Sequence, residues 1–189
     1  GLNVAVGVSA LETLNAGANG YNTAVGYNTG AVMNTGTHNT LVGALAGDAL
    51  TTGGSNVAVG YGALTTDDVG QHNVAIGRDA LSAQNIATAA NTYNTAVGSS
   101  AGAAVTVGEQ NTLIGGNAGD ALIDADYNIA IGTDALGADT YGSRSVAIGR
   151  RTLHAQNFTT ATDTYNVAIG FEAGNDITTG VDNTLIGGN

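Results

Sequence analysis

One short pattern, Asn-x-(Ala/Leu)-(Val/Ile)-Gly, recurs throughout this chain and limits its fold more than any other feature. Its copies begin at Asn3, Asn22, Asn39, Asn56, Asn73, Asn94, Asn111, Asn128, Ser145, Asn166 and Asn183. The steps in residue number between successive copies are 19, 17, 17, 17, 21, 17, 17, 17, 21 and 17. A 17-residue unit is therefore the basic one, and a longer unit returns at every fourth step. Repetition at such a period is typical of solenoids, in which each unit stacks on its neighbours.

The longer units mark a second, 72-residue period, which is a module of four units. Complete modules span 22–93 and 94–165, and partial modules span 1–21 and 166–189. The segment R-D-A-L-S-A-Q-N from Arg78 matches R-R-T-L-H-A-Q-N from Arg150. We expect residues 1–189 to form a single repeat domain. Because neither end shows an atypical capping unit, we expect a slice of a longer fibre, or an assembly whose neighbours cover its ends.

Each unit is predicted to contain a strand, a turn, a second strand and a second turn. Residues 56–60 form a short β-branched run, and Ala63-Leu64 or Ala101-Gly102 supplies the second strand. Seventeen residues are too few for a helix, a strand and two connections, and 30 Gly with no Pro suit frequent tight turns. We predict an all-β parallel β-solenoid, a β-roll of about eleven 17-residue coils. Ten steps of about 4.8 Å make a rod roughly 48 Å long.

The Asn that opens each pattern and the Gly that closes it are predicted to have structural roles. Asn adopts turn conformations readily, and stacked Asn side chains hydrogen-bond along a ladder. Gly permits the corner after the strand, so replacing Gly60 or Gly115 with Val is expected to disrupt the coil. This ladder comprises Asn22, Gly26, Asn39, Gly43, Asn56, Gly60, Asn73, Gly77, Asn94, Gly98, Asn111, Gly115, Asn128, Gly132, Asn166 and Gly170.

Both faces of the pattern strand are predicted to be apolar. Its third position is always Ala or Leu, and its fourth is always Val or Ile. Neighbouring side chains on a strand point to opposite sides, so one face can fill the coil while the other needs a dry partner. We therefore expect the strands to line an interface between copies of the chain, in a homotrimer or an end-to-end filament.

Two known groups of repeats resemble this pattern. The runs N-V-A-I-G-R-D-A-L at Asn73 and S-V-A-I-G-R-R-T-L at Ser145 resemble the head repeats of trimeric autotransporter adhesins. The run N-T-A-V-G-Y-N-T-G at Asn22 is similar to repeats of phage tail fibres and large microbial surface proteins. The adhesin resemblance implies left-handed parallel β-rolls, with three chains packed along an apolar seam, that bind host matrix or other surfaces. The 17-residue unit is longer than the adhesin coil.

The charge balance disfavours two classes of partner. Fifteen acidic residues stand against four Arg and no Lys, which gives a formal net charge of -11. Such a chain repels polyanions, so we expect no nucleic-acid binding and no docking on anionic membranes. No apolar run reaches the length of about 18 residues that a membrane span needs, so no membrane insertion is expected in this segment.

No catalytic or metal-binding cluster emerges from the repeat. The three histidines lie in different unit contexts, away from any Ser or Cys pattern that would make a triad, and are expected to be solvated turn residues. They are His38, His72 and His154. The acidic pairs Asp67-Asp68 and Asp124/Asp126 fall in turns where a hard cation can bind, but they do not recur in every unit, which favours solvated carboxylates. We expect no enzyme activity, no cofactor and no metal.

Surface recognition is expected near the longer units. Tyr93 and Tyr165 directly precede the pattern Asn after the insertions 82–93 and 155–165, and Phe158 lies within the second insertion. Exposed Tyr is a common contact for carbohydrates and surfaces, although ordinary packing is the favoured explanation for these rings. The arginines at the start of the long units are expected to pair with acids of a neighbouring chain, and the alternative is that they only offset the negative charge. They are Arg78, Arg150 and Arg151.

These features together predict a structural or adhesive extracellular fibre segment, which presents loops for attachment at a cell surface or on a virion. The partners expected are copies of the chain itself and a host surface or carbohydrate. A subunit of a self-polymerising filament and a phage tail-fibre shaft are the main alternatives. An ice-binding solenoid is a weaker one, because the second position of the pattern mixes Val, Thr and Ile instead of repeating Thr.

Overall fold

The computed structural model describes residues 1–15 and 19–188, and every regular element in them is a strand. Eleven three-residue strands occupy the pattern copies, and two further strands have two residues each. The strands are β1 (Val4–Val6), β2 (Thr23–Val25), β3 (Thr40–Val42), β4 (Val57–Val59), β5 (Val74–Ile76), β6 (Thr95–Val97), β7 (Thr112–Ile114), β8 (Ile129–Ile131), β9 (Gly142–Ser143), β10 (Val146–Ile148), β11 (Thr162–Asp163), β12 (Val167–Ile169) and β13 (Thr184–Ile186). No described segment is a helix of the length and apolar character that crossing a membrane requires.

The pattern strands form one parallel sheet in the order β1-β2-β3-β4-β5-β6-β7-β8-β10-β12-β13. Equivalent residues lie opposite one another in every pair, so Ala58 faces Ala75 and Val59 faces Ile76. The longer units keep this register, since Ala75 faces Ala96 across an insertion. The prediction of an all-β parallel β-solenoid with one coil per repeat is confirmed.

The second strand predicted in each coil is wrong for the described residues. Ala63-Leu64 and Ala101-Gly102 lie in turns. Leu64 and Gly102 have φ angles of 55° and 59°, in the left-handed region, and such residues interrupt an extended backbone. The rod therefore has one long sheet, and the rest of each coil is a succession of turns whose N–H groups bond to the neighbouring coil.

The interior of the rod is narrow, and its coils are of two kinds, one with an apolar interior and one with a polar interior. Where the coil turns at a Gly, a bulky apolar residue follows three positions later, as at Gly47 and Leu50; a Cβ on Gly47 would lie 2.8 Å from Cδ1 of Leu50. Where the coil turns at Leu64, the residue three positions later is the buried Asp67. Each module thus stacks apolar coils against coils with a polar interior.

The Gly that ends a pattern strand forms a corner that leaves no room for a side chain wherever another coil follows. Gly60 has a φ of 136°, and a Cβ added there would lie 2.5 Å from the carbonyl oxygen of Gly77 in the next coil. The same clash with the following coil recurs along the sheet. Close stacking of successive corners is therefore the reason for this Gly column.

Candidate functional site

The Asn ladder lies inside the rod. The side-chain oxygen of Asn39 accepts a hydrogen bond from the backbone N–H of Asn56 at 3.0 Å, and Nδ2 of Asn56 donates to the carbonyl of Gly70 at 2.9 Å. The first bond recurs from coil to coil at 2.8–3.0 Å. These Asn side chains are buried, so they hold the coils together and are not available to a ligand.

A buried polar cluster joins three successive coils at the boundary between the two complete modules. The Asp67 carboxylate accepts hydrogen bonds from the N–H of Gly70 at 2.9 Å and from Nε2 of Gln84 at 2.7 Å. The Gln84 oxygen in turn accepts a bond from Nδ2 of Asn94 at 2.9 Å. The prediction that Asp67 is a solvated turn carboxylate is wrong, because this residue is fully buried. Burial raises the pKa of Asp67, and the hydrogen bonds from Gln84 and Gly70 oppose that shift.

The same cluster recurs one period later, where the second module meets the partial module that follows it. Asp139 accepts hydrogen bonds from Nε2 of Gln156 at 2.6 Å and from the N–H of Gly142 at 3.1 Å, and Gln156 accepts from Nδ2 of Asn166 at 2.8 Å. The sequence held a signal for this cluster, because Asp and Gln recur at the equivalent positions of both modules. The signal was missed because an Asp in a Gly-rich turn is usually exposed.

The outer sheet face consists of the side chains at the second and fourth pattern positions, and every one of them is Val, Ile or Thr. Half-exposed examples include Val25 at 36% and Ile169 at 38%. All are β-branched, which restricts their rotamers and makes the face rigid. The face comprises Val4, Val6, Thr23, Val25, Thr40, Val42, Val57, Val59, Val74, Ile76, Thr95, Val97, Thr112, Ile114, Ile129, Ile131, Val146, Ile148, Val167, Ile169, Thr184 and Ile186.

Two columns of residues border this face. The first rim consists of the residues directly before the pattern Asn: Leu2, Tyr21, His38, Ser55, His72, Tyr93, Gln110, Tyr127, Arg144, Tyr165 and Asp182. The second rim consists of the residues directly after the pattern Gly: Val8, Tyr27, Ala44, Tyr61, Arg78, Ser99, Gly116, Thr133, Arg150, Phe171 and Gly188. Most of the exposed aromatic side chains of the rod lie on these two rims.

Charge is distributed unevenly around the rod. The outer sheet face is uncharged, and its two rims carry Arg78, Arg144, Arg150 and a single acid, Asp182. Face and rims together have a formal charge of +2, and the remaining residues carry -13, which gives the -11 of the whole chain. The strong negative charge is therefore kept away from the sheet face.

The arginines that were expected to pair with a neighbouring chain have partners within this one. Nη1 of Arg78 lies 3.1 Å from Asp79, and Nη1 of Arg150 lies 3.3 Å from Glu172. Nη1 of Arg151 lies 3.8 Å from the same Glu172 carboxylate. These exposed pairs are weak, since solvent screens them, and their donors are only partly used.

The structure separates the three predicted surface contacts. Tyr93 is 51% exposed, with its ring stacked on His72 at a centroid distance of 5.1 Å, and Tyr165 is 54% exposed. Phe158 is only 7% exposed, and its backbone N–H donates to Asp139 at 3.0 Å. The prediction of Phe158 as a surface contact is wrong, because the insertion turns this ring inward.

The remaining titratable groups form no reactive centre in the described part of the chain. His38 and His72 lie on the first rim, whereas His154 lies near Asp120. Burial raises the pKa of Asp120, and the nearby charge of Asp134 adds to that shift. Within residues 1–15 and 19–188, no three His, Asp or Glu side chains are grouped to hold a metal ion.

Comparison with known proteins adds no relative. No family model matches the chain, and neither a curated protein nor a solved structure is significantly similar to it.

Proposed function

We propose that this chain is a structural, adhesive segment of an extracellular fibre, built from copies of the rod packed side by side through the outer sheet face. The observation that carries the proposal is the composition of that face, which has only Val, Ile and Thr at its 22 positions. A continuous apolar strip of this kind on a soluble rod is an association site.

The size of the face suits a stable interface. The outer sheet face and its two rims together span six residue steps, so they are about 20 Å wide and 48 Å long and cover roughly 1,000 Å². A standard protein interface buries about 800 Å² on each partner. The positions of the charges agree with this use, because the acidic surface that keeps the rod soluble lies outside the face and its rims.

The assembly that we propose is a homotrimer of parallel, left-handed rods, as the resemblance to adhesin heads implies. In such an assembly the residues 87–89 and 159–161 of the two long insertions, which are exposed, remain outside the interface. Loops on a rigid scaffold are the usual carriers of recognition, so we assign surface or carbohydrate attachment to them. The proposed location is a cell surface or a virion.

The test compares two apolar-to-acidic variants by sedimentation. Ile114→Glu places a carboxylate in the middle of the outer sheet face, whereas Val107→Glu changes an exposed Val off the face in the neighbouring coil. We expect the wild type and Val107→Glu to have three times the chain mass of 18.5 kDa and Ile114→Glu to be monomeric. A monomeric wild type, or equal behaviour of the two variants, would overturn the side-by-side assembly.

An ice-binding surface is a second candidate, favoured by the rigid, in-register, β-branched face. Five of its residues are Thr, at Thr23, Thr40, Thr95, Thr112 and Thr184. An ice-binding face must remain exposed to water. This function therefore predicts a monomer that stops the growth of ice crystals in a solution cooled slightly below its melting point. The sedimentation experiment therefore separates the two candidates. Particles that have no fixed mass would indicate an end-to-end filament.

A further inference from the structure

Five residues of the first rim form a continuous column over five coils, namely Tyr21, His38, Ser55, His72 and Tyr93. All five have left-handed backbone, with φ between 51° and 62°. Each lies two positions before the first Cα pair of its strand in the in-register sheet. Their side chains therefore leave the rod in the same direction, one per coil.

Four of these residues form two stacked pairs. The rings of Tyr21 and His38 have a centroid distance of 5.1 Å and an interplanar angle of 24°, and those of His72 and Tyr93 have 5.1 Å and 14°. Each imidazole thus has one face covered by a Tyr, and its other face is turned toward the coil of Ser55. The small, exposed Ser55 side chain does not fill that level.

The gap at Ser55 has the thickness of one planar ring. His38 and His72 lie two coils apart, which is about 10 Å at the spacing of stacked strands. A ring at the level of Ser55 would lie about 5 Å from both imidazoles, a usual distance between stacked aromatic rings. The column is therefore an aromatic stack of five levels with its middle level empty.

The second module shows what occupies this level when the chain fills it. Tyr127 takes the place of Ser55 in that module, and its neighbours on the rim are Gln110 and Arg144. The guanidinium carbon of Arg144 lies 4.7 Å from the centre of the Tyr127 ring, and Nε2 of Gln110 lies 3.3 Å from the Tyr127 hydroxyl. The same level of the rim thus accepts a phenol ring in one module and is open in the other.

We propose that the level of Ser55 is a binding slot for a single aromatic ring, a tyrosine-like side chain of a partner protein, held between the free faces of His38 and His72. A nucleobase in a nucleic acid fits the thickness, but the charge of -11 repels its phosphates. The slot does not depend on the fibre assembly proposed above, since it is formed within one chain.

The test follows the imidazole proton signals of the full chain by NMR during titration with N-acetyl-tyrosinamide. We expect upfield shifts of His38 and His72 and none of His154, with a dissociation constant in the millimolar range for one isolated ring. Ser55→Tyr should fill the slot from within and weaken binding at least ten-fold, while Ser55→Ala retains binding. Tyr already occupies this rim position at Tyr127 and Tyr165, so the Ser55→Tyr variant should keep its melting temperature.

Two further measurements define the ligand. His38→Gln copies Gln110 of the second module and should weaken binding by removing one stacking face. N-acetyl-leucinamide and methyl glucoside should leave the two imidazole signals unchanged. The slot is disproved if the wild type does not respond to N-acetyl-tyrosinamide, if Ser55→Tyr responds as strongly as the wild type, or if the leucine or sugar probe produces the larger shifts. Sedimentation of the same samples reports the assembly separately.

Discussion

The two long coils, residues 73–93 and 145–165, have the same length and the same buried polar cluster, but they differ at the residue that opens them. Asn73 opens the first, and the chain's single departure from the pattern, Ser145, opens the second. Nδ2 of Asn73 is buried and finds no hydrogen-bond partner among the described residues. Oγ of Ser145 lies 2.6 Å from Oγ1 of Thr164 and accepts a bond from Nε2 of Gln156 at 2.9 Å.

The reason is the length of the coil. In a 17-residue coil, Nδ2 of the opening Asn donates to the carbonyl 14 residues later, as Asn128 does to Gly142 at 2.9 Å. A long coil carries its insertion at that place, and Asn73 makes no such bond. Asn is therefore the fitting residue for a short coil, whereas Ser is the better one for a long coil.

The insertions are also held differently. In the second long coil, β11 pairs with β9 of the preceding coil, and Nε of Arg144, also in the preceding coil, lies 2.9 Å from the Asp163 carboxylate. In the first long coil, one isolated bridge from Asn91 to Gln71 of the preceding coil takes the place of this small sheet. Four predictions examine how far these differences matter.

The largest effect on stability is expected at the corner Gly, which the two long coils have in common. Gly77→Val and Gly149→Val each add a Cβ that would meet the carbonyl group of the next corner, at Gly98 and at Gly170, and both residues have φ near 135°. We expect each variant to lower the free energy of unfolding by about 4 kcal/mol or more, because a clash between backbones adds to the strain. Chemical denaturation followed by circular dichroism measures this.

Gly187 is the matched control, because it has the same backbone conformation but no atom within 4 Å of an added Cβ. Gly187→Val should cost only the conformational strain, which is about 1–3 kcal/mol. Equal losses in all three variants would show that backbone conformation, and not the stacking of corners, explains the Gly column.

Exchanging the opening residues is expected to have a smaller, directional effect. Asn73→Ser removes an unpaired buried amide, and Thr92 and Gln84 are placed to bond the new hydroxyl as Thr164 and Gln156 bond Ser145. It also removes the oxygen that accepts from the Asn94 N–H at 3.0 Å. In the second long coil the equivalent Asn166 N–H donates to Oγ1 of Thr164 at 3.4 Å, and Thr92 can accept in the same way. We expect it to raise the free energy of unfolding by about 1 kcal/mol, and Ser145→Asn to lower it by about 1–2 kcal/mol. The explanation by coil length is wrong if both substitutions change stability in the same direction.

The sequence predicted those features of the fold that the repeat itself encodes. The number of coils, the strand register and the inward direction of the third pattern residue all follow from a pattern that recurs eleven times. Ala58 and Leu113, at that third position, lie in the core as expected. The turn at Ala63-Leu64 could not be predicted, because this pair is as apolar as a strand, and only the left-handed φ angle of Leu64 shows the turn. Local composition does not report backbone handedness at a residue other than Gly.

The candidate sites were harder to predict, because they depend on what faces each residue across coils. Asp67 is a polar residue in a turn, and only its contact with Gln84 of the next coil makes its burial possible. From the sequence, Phe158 resembles an exposed aromatic residue, but in the structure the insertion covers its ring. The slot at Ser55 is defined by the absence of a large side chain, and it becomes visible only when the rim is compared between modules.

A third prediction concerns the pH dependence of the first polar cluster. The pKa of Asp67 is raised in the folded chain, so the folded state holds the proton more tightly than the unfolded state. The contribution of Asp67 to stability is therefore complete below the ordinary Asp pKa of about 4 and is lost as the pH rises through the raised value. Asp67→Asn removes this titration. The free energy of unfolding of the wild type, relative to that variant, should increase as the pH is lowered; a difference that is constant or falls would contradict the assignment.

The smallest effect is expected at the exposed contacts of the second insertion. Arg144 pairs with Asp163 and lies over the Tyr127 ring, whereas His72, its counterpart, has no acid partner at the equivalent Asn91. Arg144→Gln should raise hydrogen exchange of the Thr162 and Thr164 amides a few-fold, while leaving global stability nearly unchanged. These two amides donate to the carbonyls of Tyr141 and Ser143 in the neighbouring coil. His72→Gln should leave exchange of the Thr92 amide unchanged. If both variants speed exchange equally, the ion pair is not what distinguishes the two insertions. If Arg144→Gln leaves exchange unchanged, the paired strands β9 and β11 hold the second insertion on their own.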